Sequence, residues 1–274
     1  AYIELKRRGV IDSTPQKGYF VVGEVNHVLL LLDNYSAFKQ KLYHRFVANL
    51  PANFKVDLIF HQYNESLFET IVRESIGKYS MYVVMNFSNE HMSESLKAIP
   101  QQKLLLLDFG NFDKSDYPFI CQNFNEALYE CLKEGRELLK QYDKMVFVFP
   151  EELSHPISSI DYFTKFCRHE KIECSIIRRE ADWKGVEANT AYLCILPEDL
   201  VKIIKDADAK QLRIGTDIGL IAYNDDPVLE VIKNGITSIS VDFALMGEMA
   251  AKYVRTKELI QEYLPTRFIL RSSV

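Results

Sequence analysis

Polar and aromatic side chains follow the apolar stretches of this chain, at the points where a buried strand would end. They are Asp33, Asn34, Tyr35, Asn86, Phe87, Asp108, His155, Glu198, Asn224, Asp225 and Asp226. Carboxylates and amides accept paired hydrogen bonds from hydroxyl groups, and an aromatic face covers the apolar C–H side of a sugar ring. Loop tips are polar in any α/β protein, so one such residue carries little weight. As a set across both halves of the chain, they favour binding of a neutral polyol.

The same residues do not form a recognisable catalytic site. The sequence contains no glycine-rich phosphate-binding loop and no G-x-S-x-G nucleophile turn. Asp33 is a possible aspartyl nucleophile, but the phosphatase pattern requires a second aspartate where this chain has Tyr35. The six histidines are scattered without the spacing of metal ligands. We therefore expect no enzymatic activity, no metal and no cofactor.

Length and composition narrow the class of protein. The chain has 274 residues, 47% hydrophobic and 26% charged, which excludes a disordered or fibrous protein. This length predicts about two domains. The longest apolar run, Val28 to Leu32, is far shorter than the about 20 residues of a membrane span. Five cysteines without a C-x-x-C pair are typical of the reducing cytoplasm, and a net charge of −5 argues against nucleic-acid binding by the chain as a whole.

The elements that must position the polar residues are short apolar runs rich in Val, Ile, Leu and aromatic residues. Most of them lack polar alternation, which indicates burial on both faces, as in a parallel sheet covered by helices. The runs are His27–Leu32, Val56–Phe60, Met81–Met85, Lys103–Leu107, Lys144–Phe149, Glu173–Ile177, Ala191–Leu196, Ile218–Tyr223 and Ile236–Val241. A further extended run, Leu264–Leu270, lies near the end of the chain.

Segments of helical periodicity separate these runs. Phe38–Leu50, Asn123–Tyr142, Ser158–Glu170 and Phe243–Lys257 carry apolar residues at helical spacing. Alternating strands and helices predict an α/β fold with doubly wound sheets. Nine strand candidates are many for one sheet of this size, so two successive lobes are expected. Because no Gly/Ser-rich or Pro-rich linker separates the halves, we expect lobes joined by a hinge.

One passage, Thr216–Gly247, carries a distinctive order of features. A strand ends in Tyr223-Asn224-Asp225, a short helix follows, and then come an apolar turn and strand over Gly235–Val241 and the segment Val241–Gly247. The passage resembles the end of the effector-binding domain of LacI/GalR repressors. The resemblance extends back to His27 and covers most of the chain. It implies two lobes of periplasmic-binding-protein type joined by three crossing segments, with a sugar in the cleft, and a homodimer.

The first twenty-two residues resemble a different family, the GntR-type winged helix-turn-helix. Its last helix and wing correspond to Ala1-Tyr2, Leu5, Gly9, Ile11 and the run Lys17 to Val21. The residues alone indicate a helix closed by Gly9, followed by two short strands, Val10–Asp12 and Gly18–Val22. The resemblance implies that the chain is a fragment whose upstream DNA-binding helices are missing. The basic residues expected to contact DNA from this part are Arg7, Arg8 and Lys17.

Together the two resemblances imply a sugar-responsive bacterial transcriptional regulator that works in the cytoplasm. Residues 1–24 would end the DNA-binding domain, and residues 25–274 would form the effector domain. Lobe 1 is expected over about 25–122 and 243–256, and lobe 2 over about 123–242 and 257–274. The sugar would alter operator binding by stabilising one arrangement of the lobes, which the dimer transmits to the DNA-binding heads.

The resemblance also assigns ligand-binding roles to residues of this chain. It places the stacking tryptophan of the family on Trp183 and the strand-end carboxylate on Asn224, with Asp225 beside it. The other positions that it places in the binding site are Asp33, Tyr35, Asp108, Gln122, His155 and Glu198.

Two departures from the family pattern concern the ligand. The family's cleft arginine is absent before the helix that begins near Ser158, where only His155 is close, and Pro197-Glu198 replaces an Asn-Asp pair. A monosaccharide is expected, with L-fucose or an arabinose-like pentose as a guess. Two rival functions are a solute-binding receptor for sugar transport and a carbohydrate-acting enzyme. The receptor is disfavoured by the charged, wing-like start of the chain, and the enzyme has only Asp33 and Asp108 as a possible acid–base pair.

Overall fold

The structure is a computed structural model that describes residues 2–7, 11–14, 18–21, 25–108, 110–151 and 155–274. The helices of this part of the chain are α1 (Tyr2–Arg7), α2 (Ala37–Ala48), α3 (Glu65–Ser75), α4 (Glu126–Glu134), α5 (Arg136–Leu139), α6 (Ser158–Glu170), α7 (Pro197–Ala209) and α8 (Phe243–Thr256). Short 3-10 turns span Glu94–Ala98, Gln101–Lys103, Glu180–Asp182, Pro227–Glu230 and Ile232–Asn234.

The beginning of the chain forms a helix and an antiparallel hairpin. The hairpin pairs β1 (Ile11–Thr14) with β2 (Gly18–Val21). The ring of Tyr2 stacks on that of Tyr19 with centroids 4.9 Å apart, so α1 packs against the hairpin. The first strand was expected to end at Asp12 but extends to Thr14.

The three basic residues expected to contact DNA are not placed by the structure. Arg8 and Lys17 lie outside the described residues, and Arg7 is described only as the last residue of α1. Their role therefore stays a prediction.

By their contacts, residues 1–121 and 244–262 form one compact unit, called unit 1. Its sheet has the strand order β13-β7-β6-β5-β3-β4. The strands are β3 (Asn26–Leu32), β4 (Phe54–Phe60), β5 (Met81–Met85), β6 (Leu104–Asp108), β7 (Phe119–Gln122) and β13 (Gln261–Leu264). Strands β3 to β7 pair in parallel.

Strand β3 illustrates why this sheet is parallel and covered on both faces. Leu29 and Leu31 pack with Phe68 of α3 in one apolar cluster. Leu30 points to the other face, because successive side chains alternate across a strand, and it is also completely buried. On that face α8 approaches α2 so closely that a Cβ at Gly247 would stand 2.3 Å from the carbonyl oxygen of Leu42.

Residues 122–243 and 263–274 form the second compact unit, called unit 2. Its sheet has the strand order β14-β12-β11-β10-β8-β9. The strands are β8 (Lys144–Val148), β9 (Glu173–Ile177), β10 (Thr190–Cys194), β11 (Ile218–Tyr223), β12 (Thr237–Val241) and β14 (Thr266–Ile269). Strands β8 to β12 pair in parallel, and β14 is antiparallel to β12.

The predicted fold class is confirmed, because the chain forms two α/β units with mainly parallel sheets. The chain passes from one unit to the other three times, as the resemblance implies. One expected boundary is wrong: residues 257–262 were assigned to the second lobe but belong to unit 1. The reason is that β13 joins the sheet of unit 1 beside β7, a short strand that the sequence did not reveal.

The long helix expected over Asn123–Tyr142 is divided into α4 and α5 at Gly135. A Cβ at Gly135 would lie 2.6 Å from the ring of Phe268, so the ring of this β14 residue occupies the space of a side chain there. Close packing thus explains why this position is a glycine.

The class of protein also depends on whether the chain has membrane-spanning helices, metal-binding groups or reactive cysteines. Within the described ranges, no helix has both the length and the apolarity needed to cross a membrane. The same part of the chain contains no group of three or more metal-ligating side chains placed to hold an ion. Each of the five cysteines is a free thiol, and burial raises the pKa of Cys121 and Cys131 to about 12, so neither is a reactive thiolate.

Candidate functional site

Parallel pairing brings the ends of strands β8, β10 and β11 to one edge of the sheet of unit 2, here called its carboxyl edge. Val148 and Ala222 are both level with Cys194, so the next residues, Phe149 and Tyr223, are level with each other at this edge. Open α/β sheets bind ligands outside the carboxyl ends of their strands, so this edge is the candidate site of unit 2.

Four rings form an aromatic cluster at this edge, composed of Phe124, Phe149, His155 and Tyr223. The centroid of the His155 ring lies 5.0 Å from that of Phe124, 5.7 Å from that of Phe149 and 4.7 Å from that of Tyr223. All three rings meet the imidazole nearly edge to face, an arrangement that aromatic pairs prefer. The cluster is an apolar platform whose centre is a histidine.

The histidine of this cluster is neutral at physiological pH. Burial lowers the pKa of His155 to about 3, because the surrounding rings do not solvate an imidazolium. Its Nε2 lies 2.9 Å from the hydroxyl of Ser159 in the first turn of α6, which orients the ring. His155 therefore brings hydrogen bonding but no charge to the edge.

Asn224 directly follows β11 and leaves a hydrogen-bond acceptor unused. Its φ of 66° lies in the left-handed region, which Asn adopts more readily than most residues. The backbone N–H donates to the carbonyl of Ile239 at 2.8 Å, which holds the residue in place. The side-chain Oδ1 is buried and accepts no hydrogen bond from the described residues. Such an unmade bond costs about 1–3 kcal/mol, which a ligand hydroxyl would relieve.

Asp225, the next residue, is already engaged. The guanidinium of Arg271 donates to both of its carboxylate oxygens, at 2.7 and 3.2 Å, and the hydroxyl of Ser238 donates to Oδ1 at 2.6 Å. Arg271 also donates to the carbonyl of Ile236, so the pair ties the end of β11 to β12 and to the end of the chain. These contacts give Asp225 a structural role that supports the position of Asn224.

Trp183 lies beside α7. Its indole Nε1 donates to Asp206 at 2.7 Å, and the ammonium of Lys202 stands 4.8 Å from the ring centroid. The ring packs partly buried against an apolar cluster that includes Tyr192 of β10. These contacts explain Trp183 as part of the packing of α7, and stacking of a sugar on the ring stays a prediction.

The start of α7 holds a second acidic residue besides the expected Glu198. Glu198 is exposed in the first turn, whereas Asp199 is half-buried, and burial raises the pKa of its carboxyl. Its Oδ2 is buried without a hydrogen-bond partner in the described part of the chain. Sequence reasoning missed Asp199 because an acidic residue in a first helical turn is ordinary helix chemistry.

At the carboxyl edge of unit 1, three side chains satisfy one another. Lys39 of α2 forms a buried ion pair with Asp33, which follows β3. The phenol of Tyr63 donates to the second carboxylate oxygen of Asp33 at 2.7 Å, and Lys39 also donates to Oδ1 of Asn34 at 2.9 Å. Asp33 was expected to bind ligand, but its two oxygens already accept these bonds.

Asp108 and Gln122 are buried at the ends of β6 and β7. Asp108 has a φ of 71° and lies close enough to Tyr63 to raise the pKa of that phenol, after the larger effects of burial and of Asp33. The ring of Tyr35 is 65% exposed and contacts Phe60 edge to face. The structure thus brings Asp33 and Asp108 to the surroundings of one phenol and leaves Tyr35 at the surface.

The neutral side chains at this edge that lack a hydrogen bond of normal geometry within the described ranges include His61 and Asn89. His61 follows β4 and is completely buried, and neither of its ring nitrogens makes a hydrogen bond of normal geometry. Burial lowers the pKa of His61 to about 4. The amide atoms of Asn89, in the loop after β5, are also buried and unpartnered. The only sequence signal for either residue was its place after a strand.

The comparisons with known proteins agree with this architecture. Residues 139–274 match a family model described as a periplasmic binding protein-like domain. The trehalose repressor from Escherichia coli is 13% identical, with a TM-score of 0.74 over 89% of this chain and 99% of that chain. No curated protein matches the chain in sequence.

Two other similar structures hold sugars. A LacI family transcriptional regulator from Lactobacillus casei with bound glucose is 13% identical, with a TM-score of 0.72 over 90% of this chain and 100% of that chain. A LacI family regulator from Enterococcus faecium with bound ribose is 15% identical, with a TM-score of 0.71 over 90% of this chain and 98% of that chain. At these identities the likeness shows a shared fold.

Proposed function

Since residues 139–274 match a periplasmic binding protein-like domain and the whole chain forms two α/β units, we propose that this chain is the effector-binding part of a sugar-responsive transcriptional regulator. The observation that carries the proposal is the aromatic cluster of unit 2, next to the buried and unused Oδ1 of Asn224. Aromatic faces cover the C–H side of a sugar, and an amide oxygen accepts from its hydroxyls. The sugars bound to the regulators from Lactobacillus casei and Enterococcus faecium support this choice of ligand.

The proposal includes a route from sugar to DNA. A sugar that binds one conformation of the effector domain more tightly than another shifts the protein toward that conformation. The shift reaches a GntR-type DNA-binding head, which residues 1–24 resemble, and a homodimer couples the two heads on the operator. Arg7, Arg8 and Lys17 would contact phosphates, and the regulator would act in the cytoplasm without turning over its ligand. The expectation that one sugar contacts both units stays a prediction.

Calorimetric titration of the chain with monosaccharides and their anionic derivatives tests the proposal. The panel includes glucose, ribose, L-fucose and arabinose, and each mixture is then analysed for products. We expect stoichiometric binding of at least one compound, with no conversion. A product would identify an enzyme, and a panel without any binder would refute the sugar-sensing function.

Substitution of Asn224 tests the site itself. Asn224→Gly removes the amide oxygen and keeps a backbone that glycine adopts readily at positive φ. Loss of one hydrogen bond to a ligand, about 0.5–1.5 kcal/mol, should weaken binding about two- to tenfold. Asn189→Gly is the matched control, because Asn189 also has a positive φ, of 55°, but precedes β10 and so lies at the opposite end of the strand. Equal affinities of the two variants would exclude Asn224 from the site.

A further inference from the structure

Arg178 is a charged residue of the carboxyl edge of unit 2 that has no role in the proposal above. It directly follows β9, and its carbonyl accepts from the backbone N–H of Glu151 at 3.0 Å, which fastens the loop after β8 to the loop after β9. The centre of its guanidinium lies 5.3 Å from the ring centroid of Phe149. Arg178 therefore adjoins the aromatic cluster on the side of strand β9.

The side chain of Arg178 is incompletely satisfied. Its Nε is buried and donates to no acceptor among the described residues, and its guanidinium forms no ion pair with them. The neighbouring Arg179 is the opposite case, because its Nε and Nη2 each donate to Asp182 at 3.2 Å. Of these two consecutive arginines, only the second has a carboxylate partner among the described residues.

The unused groups of Arg178 indicate what kind of ligand atom belongs beside it. The Nε–H and the adjacent Nη–H of an arginine point in parallel and match two oxygens of one carboxylate or phosphate. Any ligand that covers the guanidinium removes it from water, and a desolvated cation without an opposite charge is costly. The one imidazole of the aromatic cluster, that of His155, is neutral and brings no compensating charge. An anionic group on the ligand would supply both the acceptors and the charge.

We propose that the effector is a sugar that carries an anionic substituent, a phosphate or a carboxylate, and that Arg178 binds this substituent. The inference rests on the proposed sugar-sensing function and narrows its ligand class. The sugar ring lies on the aromatic cluster, Asn224 accepts from a ring hydroxyl, and the anion receives the parallel N–H groups of Arg178. The guess of a neutral L-fucose or arabinose is thereby replaced by an acidic or phosphorylated sugar.

The test compares matched ligands by calorimetric titration of the chain at constant ionic strength. The probes are glucose, glucose 6-phosphate and glucuronate, the corresponding set for ribose and fructose, and inorganic phosphate alone. We expect at least one phosphorylated or acidic sugar to bind ten times or more tightly than its neutral parent, and more tightly than inorganic phosphate. Comparison of the phosphate and carboxylate arms identifies the anion.

Variants of Arg178 test whether this residue causes the preference for the anionic sugar. Arg178→Gln should lower the affinity for the anionic sugar at least tenfold and leave the neutral parent within about twofold, whereas Arg178→Lys should retain part of the preference. Arg179→Gln changes the net charge equally and should bind as the unsubstituted chain does. Thermal melting checks that each variant is folded, and the comparison of ligands on the unsubstituted chain does not depend on any variant.

The possible results separate this inference from the function on which it rests. Neutral sugars that bind as tightly as their anionic derivatives would overturn the inference and leave the sugar sensor intact. A preference that survives in Arg178→Gln, or equal binding of inorganic phosphate, would also overturn it. If no sugar of either kind binds, both proposals are wrong.

Discussion

At the carboxyl edge of unit 1 a buried lysine neutralises a buried aspartate, whereas at the carboxyl edge of unit 2 charged and polar groups keep unused hydrogen-bonding atoms. Asp33 is satisfied by Lys39 and by the phenol of Tyr63. Arg178 Nε and Asn224 Oδ1, in contrast, have no partner in the described part of the chain. Groups that satisfy each other stabilise the fold, and groups left unsatisfied gain most from a ligand.

The comparison also shows that exposure alone does not identify a binding residue. The ring of Tyr35 is largely exposed, and it contacts Phe60 of the same unit. Asn224 is less exposed and yet retains an unused acceptor. In unit 1, the buried side-chain atoms without a partner among the described residues belong to the neutral Ser36, His61, Asn89 and Ser93, so the two edges differ mainly in where charge is left uncompensated.

The largest effect on stability should come from removing the lysine of the buried Asp33–Lys39 pair at the carboxyl edge of unit 1. Lys39→Ala leaves the carboxylate of Asp33 buried without its cation, and loss of one partner of a buried pair costs about 3–5 kcal/mol. Chemical denaturation should show this decrease in the free energy of unfolding. Lys97→Ala is the control, because Lys97 pairs with Glu94 on the surface at 2.6 Å, and such pairs contribute about 0–1 kcal/mol. Similar losses of unfolding free energy in both variants would show that the buried Asp33–Lys39 pair stabilises the fold no more than a surface pair does.

A smaller loss is expected at Trp183. Trp183→Ala removes a partly buried ring and its hydrogen bond to Asp206, so we expect about 2 kcal/mol of destabilisation, less than the about 3–5 kcal/mol of a fully buried tryptophan. Trp183→Phe keeps most of the ring and should lose about 1 kcal/mol with the hydrogen bond. Denaturation and sugar titration are measured on both variants. A normal free energy of unfolding with lost sugar affinity would restore the predicted stacking role of Trp183.

The smallest effect per residue is a dependence of stability on pH that involves one histidine from each edge. Burial lowers the pKa of His61 to about 4 and that of His155 to about 3, below the about 6.5 of an exposed histidine. Between these values the unfolded chain binds more protons than the folded chain, so the free energy of unfolding decreases as the pH falls. Each histidine should contribute about 1.4 kcal/mol per pH unit below about pH 6.5.

Denaturation at about pH 7 and about pH 5.5 measures this loss in the unsubstituted chain and in His61→Phe and His155→Phe. Each substitution should reduce the loss by about the contribution of one histidine. If one substitution leaves the loss unchanged, the histidine at that edge is accessible to water, and the edges differ in solvation as well as in charge.

Elements with continuous apolar runs were predictable, and elements that depend on their neighbours were not. Strand β3 is buried on both faces, and its continuous apolar residues therefore predict a central parallel strand. Strands β7 and β13 are short, and β13 is largely exposed, so each is defined by pairing with a partner distant in sequence. The residues expected in lobe 2 over 257–262 were misplaced for this reason. Similarly, the lack of space for a side chain at Gly135 depends on the ring of Phe268, more than a hundred residues away.

The sequence predicted where the candidate site lies, but it did not predict which side chains contact each other there. His155 and Asn224 were predicted for the site because they follow strands, and parallel strands end at one edge of a sheet. The spacing of residues did not show that the guanidinium of Arg271 would donate to the carboxylate of Asp225. It also did not show that the indole of Trp183 would donate to Asp206. These pairs join residues that are 46 and 23 positions apart in sequence.

By itself, the amino-acid sequence determined the class of the fold and the end of the strands at which polar groups gather, because hydrophobic periodicity is a local property. Only the tertiary structure decided which of these polar groups are satisfied. Arg178 and Arg179 are adjacent and identical in type, yet Arg179 pairs with Asp182, whereas Arg178 lies over Phe149 and its Nε has no acceptor among the described residues. The reason is that a hydrogen bond requires a donor and an acceptor within about 2.7–3.2 Å of each other, and the fold, not the order of residues, brings those atoms together.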